Sequence, residues 1–208
     1  MITECEVCSP QEVHAADVDG DGDTDILSAS EGDAKIAWHE NDGTDDPSFT
    51  IHTITTNADR PRDIHAADID GDGDTDVLSS YNEVVSDFYG YSFQSKVVLY
   101  KNDGTTDPSF TKQVIASSFG SSRDISVFAA DVDGDDDTDI LSASEGDAKI
   151  AWHENDGSGN FTERVITTDA DTDTGGFGVL SIYAADVNGD GNTDIPNLSG
   201  FPDRKRVP

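Results

Sequence analysis

Short apolar or alternating stretches, broken every few residues by Gly, Asp and Asn, run along the whole chain. Val13-His-Ala-Ala alternates as a short strand that ends on Asp17. Asp25-Ile-Leu-Ser-Ala-Ser30 reads as a second strand, Lys35-Ile-Ala-Trp-His-Glu40 as a third, and the Thr- and Ile-rich residues 49–56 as a fourth. Glu31-Gly-Asp33 and Asn41-Asp-Gly43 supply turns between them. Four short strands with turn signals make one unit.

The unit returns, and a nine-residue acidic loop marks each copy. It is Asp17-Val-Asp-Gly-Asp-Gly-Asp-Thr-Asp25, then Asp68-Ile-Asp-Gly-Asp-Gly-Asp-Thr-Asp76, Asp131-Val-Asp-Gly-Asp-Asp-Asp-Thr-Asp139 and Asp186-Val-Asn-Gly-Asp-Gly-Asn-Thr-Asp194. The loops are spaced by 51, 63 and 55 residues, and residues 25–43 are identical to 139–157. Repetition at this period predicts a propeller or solenoid, in which each unit buries its faces only against its neighbours. The 208 residues read as a single repeat array with copies beginning near 12, 63, 126 and 181. The second copy is longer by residues 81–95, with Tyr89, Tyr91 and Phe93, expected to project as a loop between its second and third strands. In the fourth copy the strand over 179–186 and the loop are present, but Pro196 falls where the second strand would pair, so 196–208 reads as an irregular tail.

Charge changes the picture. Acidic residues number 44 against 12 basic, for a formal charge of −32, and 35 of the 44 are Asp. Glu would suit helical surfaces, whereas Asp suits turns and short-reach ligation. With no basic stripe to displace counterions, nucleic acid is excluded as a partner. An anionic membrane surface is disfavoured too, and no apolar run approaches the ~20 residues of a membrane span. The N-terminus does not read as a signal peptide, so a secreted protein would carry its targeting segment outside this sequence. Cys5 and Cys8, spaced C-x-x-C, lack the further ligands of a zinc site and the strand-to-helix setting of a redox motif.

Loops this dense in carboxylates repel themselves unless a cation sits among them. Oxygen ligands at positions 1, 3, 5 and 9, a backbone carbonyl at 7 and Gly at 6 match a hard-cation site for Ca²⁺. The predicted ligands are Asp17, Asp19, Asp21, Asp23 and Asp25; Asp68, Asp70, Asp72, Asp74 and Asp76; Asp131, Asp133, Asp135, Asp137 and Asp139; and Asp186, Asn188, Asp190, Asn192 and Asp194. About four structural calcium ions are expected. An EF-hand would need a bidentate Glu at position 12, where Ser28, Ser79, Ser142 and Asn197 stand, with flanks that read as strands. Asp136 replaces the position-6 glycine of the third loop, which predicts a weaker or reshaped site there.

With Phe119-Gly120 ahead of Ala129-Ala-Asp131, and Phe177-Gly178 leading into Ala184-Ala-Asp186 and its loop, the chain resembles the FG-GAP or VCBS repeat. That is the calcium-binding blade of integrin alpha-chain β-propellers and of many secreted proteins. The likeness spans about residues 12–195. Ser28-Ala-Ser30, Ser79-Ser-Tyr81 and Ser142-Ala-Ser144 depart from the Gly-Ala-Pro element, which brings the match closer to the VCBS branch. The resemblance implies an all-β, partial and open β-propeller of about three complete four-stranded blades plus the start of a fourth, with calcium loops between first and second strands.

Chemistry beyond the loops is sparse. His14, His65, Phe128 and Tyr183 occupy one repeated position, and His39, Tyr100 and His153 another, which suits rings packing between blades better than catalysis. Trp38, Leu99 and Trp152 share a third-strand position expected in the core, and no nucleophile elbow, phosphate loop or H-E-x-x-H appears. The resulting expectation is a non-catalytic, calcium-stabilised module at the cell surface or outside the cell, for adhesion or binding of a protein or glycan ligand, with the 81–95 insertion as contact surface. The alternative is the propeller part of a carbohydrate-active enzyme such as a polysaccharide lyase, using Arg60, Arg62 and Arg123 from loops between units. Open edges imply either missing blades or self-association.

Overall fold

The computed structural model describes residues 9–87, 90–117, 124–168, 181–189 and 193–195, and the structural statements below are made of those residues. They contain twelve strands, and no helix is long and apolar enough to cross a membrane. The first antiparallel sheet pairs β1 (Pro10–Ala16), β2 (Asp25–Ser30), β3 (Lys35–Asn41) and β4 (Phe49–Thr55) in chain order. The second holds β5 (Pro61–Ala67), β6 (Asp76–Asp87), β7 (Gly90–Asn102) and β8 (Phe110–Ser117). The third holds β9 (Ile125–Ala130), β10 (Asp139–Ser144), β11 (Lys149–Asn155) and β12 (Phe161–Thr167). In the fourth copy the only pairing is a bridge between Ala185 and Asp194.

Successive side chains on a strand point to opposite faces. The central strands are covered on both, because the sheets stack face to face. Val98 and Tyr100 of β7 join Leu27, Ile36 and Trp38 of the first sheet, while Val97 and Leu99 turn the other way to meet Ile125 and Val127 of the third. On β10, Ile140 packs toward the second sheet, and Leu141 and Ala143 pack toward Ile182. Stacked four-stranded meanders that share their cores only with neighbours are the blades of a β-propeller, here partial. The fourth strands β4 and β12 are mostly exposed and form the outer rim.

The first strands line the inside, with β5 packed between β1 and β9. One ring from each makes a column: His14 and His65 lie 4.6 Å apart between centroids, and His65 and Phe128 lie 4.6 Å apart. Rings therefore pack from blade to blade at the position where the sequence repeats them. Trp38, Leu99 and Trp152 are buried in the core as expected.

Three local expectations are corrected. Residues 81–95 do not form a loop: β6 and β7 continue as a ladder from Asn82↔Ser95 to Asp87↔Gly90, so the insertion lengthens a hairpin instead. Its alternating, β-branched and aromatic composition favours pairing over an irregular excursion. Arg62 lies within β5, not in a loop, because Pro61 opens that strand and pairs with Tyr81. The strand expected over 179–186 is absent from the described residues 181–189, which hold only the single bridge. Cys5, Cys8, Tyr89, Arg123, Pro196 and the 196–208 tail lie outside the described residues.

Candidate metal centres

Each acidic loop bridges one rung of a hairpin. Ala16 pairs with Asp25, Ala67 with Asp76 and Ala130 with Asp139, so the chain leaves the first strand and returns to the second within nine residues. The carboxylate of the first position organises the reversal: Asp17 accepts from the amides of Gly20 at 2.9 Å and Gly22 at 3.0 Å. Gly22 and Gly73 sit at φ +94°, and Asp136 holds φ +72° in their place. Such a left-handed backbone is strained for a residue with a side chain, yet the Asp136 amide still reaches Asp131 at 3.2 Å.

This fold brings together positions 1, 3 and 9. Asp17, Asp19 and Asp25 place one oxygen each within 4.8 Å of the others, as do Asp68, Asp70 and Asp76, and Asp131, Asp133 and Asp139. Carboxylates this close disfavour their charged forms, as does loss of water. Burial pushes Asp19 up, and pushes Asp76 up to about 6. Burial and the neighbouring Asp135 push Asp133 up in the third loop. The donors are all hard oxygens and the groups need positive charge, which fits Ca²⁺.

The remaining predicted residues do other things. The fifth-position Asp21 and Asp72 turn a carboxylate oxygen onto the amide two residues on, at 2.8 Å to Asp23 and 3.0 Å to Asp74; Asp135 does the same to Asp137 at 3.0 Å. The seventh-position side chains Asp23, Asp74 and Asp137 lie against Gly43, Gly104 and Gly157. A Cβ on Gly43 would stand 1.9 Å from Asp23 Oδ2, so a side chain there displaces that carboxylate, and the φ of +65° adds backbone strain. In the fourth loop Asn188 donates to Asp194 at 2.9 Å and Gly189 donates to Asp186 at 2.6 Å, while Asp190 and Asn192 lie outside the described residues.

Position 9 also welds the second strand to the loop and to the third strand. Asp25 Oδ2 accepts from the Val18 amide at 3.0 Å, and Oδ1 accepts from the Asn41 amide at 2.8 Å. Asp76 repeats this with Ile69 and Asn102, and Asp139 with Val132 and Asn155. In the second and third blades the asparagine at the end of the third strand then extends the weld to the previous blade. Asn102 Nδ2 donates to the Val18 carbonyl at 2.8 Å, and Asn155 Nδ2 to the Ile69 carbonyl at 2.8 Å. Sequence reasoning missed this role and read Asn-Asp-Gly as a turn; its recurrence at 41, 102 and 155, once per loop, was the available signal.

The three trios differ in one neighbour. Lys101 of β7 places its ammonium 3.3 Å from Asp70, where the equivalent residues of β3 and β11 are Glu40 and Glu154. Glu40 raises Asp19 further and pairs with His52 at 2.7 Å.

A concavity of about 580 Å³ lies along the inner strands and is lined by His14, Arg62, Asp63, His65, Asp124 and Tyr183 among others. Arg62 is held by Asp124 at 3.3 Å and by Gln11 at 3.2 Å. Asp63 is pushed up by burial although its carboxylate accepts from Ser126 Oγ at 2.8 Å and the Val127 amide at 2.9 Å.

A family model for the FG-GAP-like repeat matches residues 17–79 and 131–195, more than half of the chain, and both matches open on an acidic loop. The chain belongs to the FG-GAP-like repeat family. No curated protein matches it. Among solved structures it is similar to a lectin of Agrocybe aegerita, described as specifically recognising non-reducing terminal N-acetylglucosamine, with 22% identity and a TM-score of 0.60. The similarity covers 91% of this chain and 47% of the lectin, so the chain spans about half of that structure's length.

Proposed function

We propose that this chain is a non-catalytic, calcium-stabilised propeller module that works at the cell surface or outside the cell and binds a protein or glycan ligand. The observation that carries the reading is the Asp trio, formed three times at one point of the blade and welded there to the Asn of the third strand. Bound Ca²⁺ neutralises trios in which burial holds Asp19, Asp76, Asp133 and Asp139 above their ordinary range, and so fixes the hairpin that each blade is built on. Its role is structural, and the ligand meets other surfaces: the cleft of the inner strands and the long β6–β7 hairpin. Family membership and the likeness to a glycan-recognising lectin support binding as the task.

A glycan array probed in calcium, run beside a polysaccharide depolymerisation assay, tests this. The expected result is retention on a restricted set of glycans with no change in their length. Depolymerisation with unsaturated products would overturn it in favour of a lyase.

A further inference from the structure

The inner wall of the blades carries two rows of side chains, because residues two apart on a strand share a face. Glu12 and His14 of β1, Asp63 and His65 of β5, and Ser126 and Phe128 of β9 hold equivalent places in the register. All of them line the concavity of about 580 Å³, a size that takes a small ligand. Rings form one row, which Tyr183 continues, and carboxylates and a hydroxyl form the other.

The polar row holds neighbouring blades together, except at one place. Asp63 Oδ2 accepts from the Val127 amide of the next inner strand at 2.9 Å, and Ser126 Oγ accepts from the Ile182 amide at 3.1 Å. By register Glu12 is placed for the same bond to the Ile64 amide, but Asp63 Oδ1 takes that donor at 2.9 Å. Among the described residues Glu12 has no hydrogen-bond or ion-pair partner, and it stands exposed in the cleft. Its charge and that of Asp63 both bear on His14, whose burial nonetheless keeps it below the ordinary histidine value.

An anion finds little to meet here. Arg62 is the one cation among the described residues of the lining, and it already faces Asp124 at 3.3 Å and Glu31 at 3.7 Å. His65, pulled down to about 4 by burial, is neutral near neutral pH. The cleft therefore offers spare negative charge beside a wall of neutral rings, of which Tyr183 is 37% exposed. Carboxylates take ammonium groups in charge-assisted hydrogen bonds, and aromatic faces attract cations as well as apolar surface. A lysine side chain would use the carboxylate and leave the row of rings uncovered. A sugar bearing an amine uses both.

We infer that this cleft takes an oligosaccharide carrying a protonated primary amine, an amino sugar without an acetyl group, with the amine on the Glu12 carboxylate and a sugar face against Tyr183. The inference rests on the glycan-binding reading above and narrows it to one ligand chemistry.

Calorimetry on the full chain in calcium, at a pH that keeps the amine protonated, compares a glucosamine oligosaccharide with its N-acetylated counterpart. The amine form is expected to bind about tenfold more tightly, the worth of one charge-assisted hydrogen bond. Glu12→Gln, with unchanged circular dichroism, is expected to remove that preference and to leave the N-acetylated form bound as before. Asp45→Asn, which removes an exposed carboxylate from the turn between β3 and β4, is expected to keep it, which separates the cleft from general attraction to an acidic chain. Tyr183→Ala weakens both forms alike. Equal affinity for the two forms would overturn the inference and leave glycan binding standing, whereas binding of neither would overturn both. A preference that survives Glu12→Gln or falls equally in Asp45→Asn, an affinity unchanged by Tyr183→Ala, or a lysine tripeptide bound as tightly as the amino sugar would each overturn the inference as well.

Discussion

Asn155 of β11 donates from Nδ2 to the backbone carbonyl of Ile69, 86 residues earlier and one blade away, at 2.8 Å. The same amide group bonds the Thr138 carbonyl at 3.0 Å inside its own blade. One side chain therefore ties an acidic loop to its neighbour. Asn155→Ala leaves one buried acceptor, the Ile69 carbonyl, and one half-buried acceptor, the Thr138 carbonyl, without this donor, and losing a buried partner costs about 1–3 kcal/mol. The expected loss is about 2–3 kcal/mol for Asn155→Ala and for Asn102→Ala. For Asn41→Ala, where the residue is partly exposed, it is about 1 kcal/mol or less. Chemical denaturation curves of the three variants check the ranking, and equal losses would contradict the inter-blade role.

Acid should loosen the blades through histidine. Burial pulls both His65 and His153 down to about 4. Between the unfolded value of 6.5 and that folded value, the unfolded chain holds the extra proton. Their contribution is therefore complete above pH 6.5 and is lost progressively as pH falls to about 4. In metal-free protein Asp76, held at about 6, works in the opposite direction, since its folded form takes up the proton first. Comparing wild type with His65→Phe cancels that term, and Phe128 already occupies the equivalent place in the third blade. The variant is expected to lose less stability than wild type between pH 7 and 5 in thermal melts; parallel curves would refute the assignment.

The second loop should bind calcium more weakly than the first. Lys101 brings its ammonium to within 3.3 Å of Asp70, where a cation would have to compete with it. Lys101→Glu restores the residue type of the other two blades. It is expected to tighten that site by about tenfold, the equivalent of ~1.4 kcal/mol of removed charge repulsion. Calorimetric calcium titration of the variant reads this out, and an unchanged binding isotherm would contradict it.

Much of the blade was legible in the residues because its signals are local. The strands at 25–30, 35–41 and 49–55 follow from alternation and turn chemistry, and the loops announce themselves by spacing. The trio was legible only in part. Linear spacing cannot tell that Asp23 turns toward Gly43, or that Asp25 gives one oxygen to the Asn41 amide, because these depend on a third strand sixteen or more residues away. The hairpin at 82–95 was misread for a related reason: pairing across a hairpin is a property of two segments, and neither announces it alone. The Asn102–Val18 bond, spanning 84 residues, is a product of blade stacking and leaves no mark in sequence except recurrence.

The most direct measurement is a thermal melt of the protein in calcium and after chelation with EDTA. Free ion at ten times its dissociation constant contributes roughly 1.4 kcal/mol per site, so about four loops together contribute roughly 5–6 kcal/mol, comparable to a domain's net stability. The account predicts that EDTA lowers the midpoint by many degrees and that added calcium restores it. An identical melt with metal-free protein would contradict it.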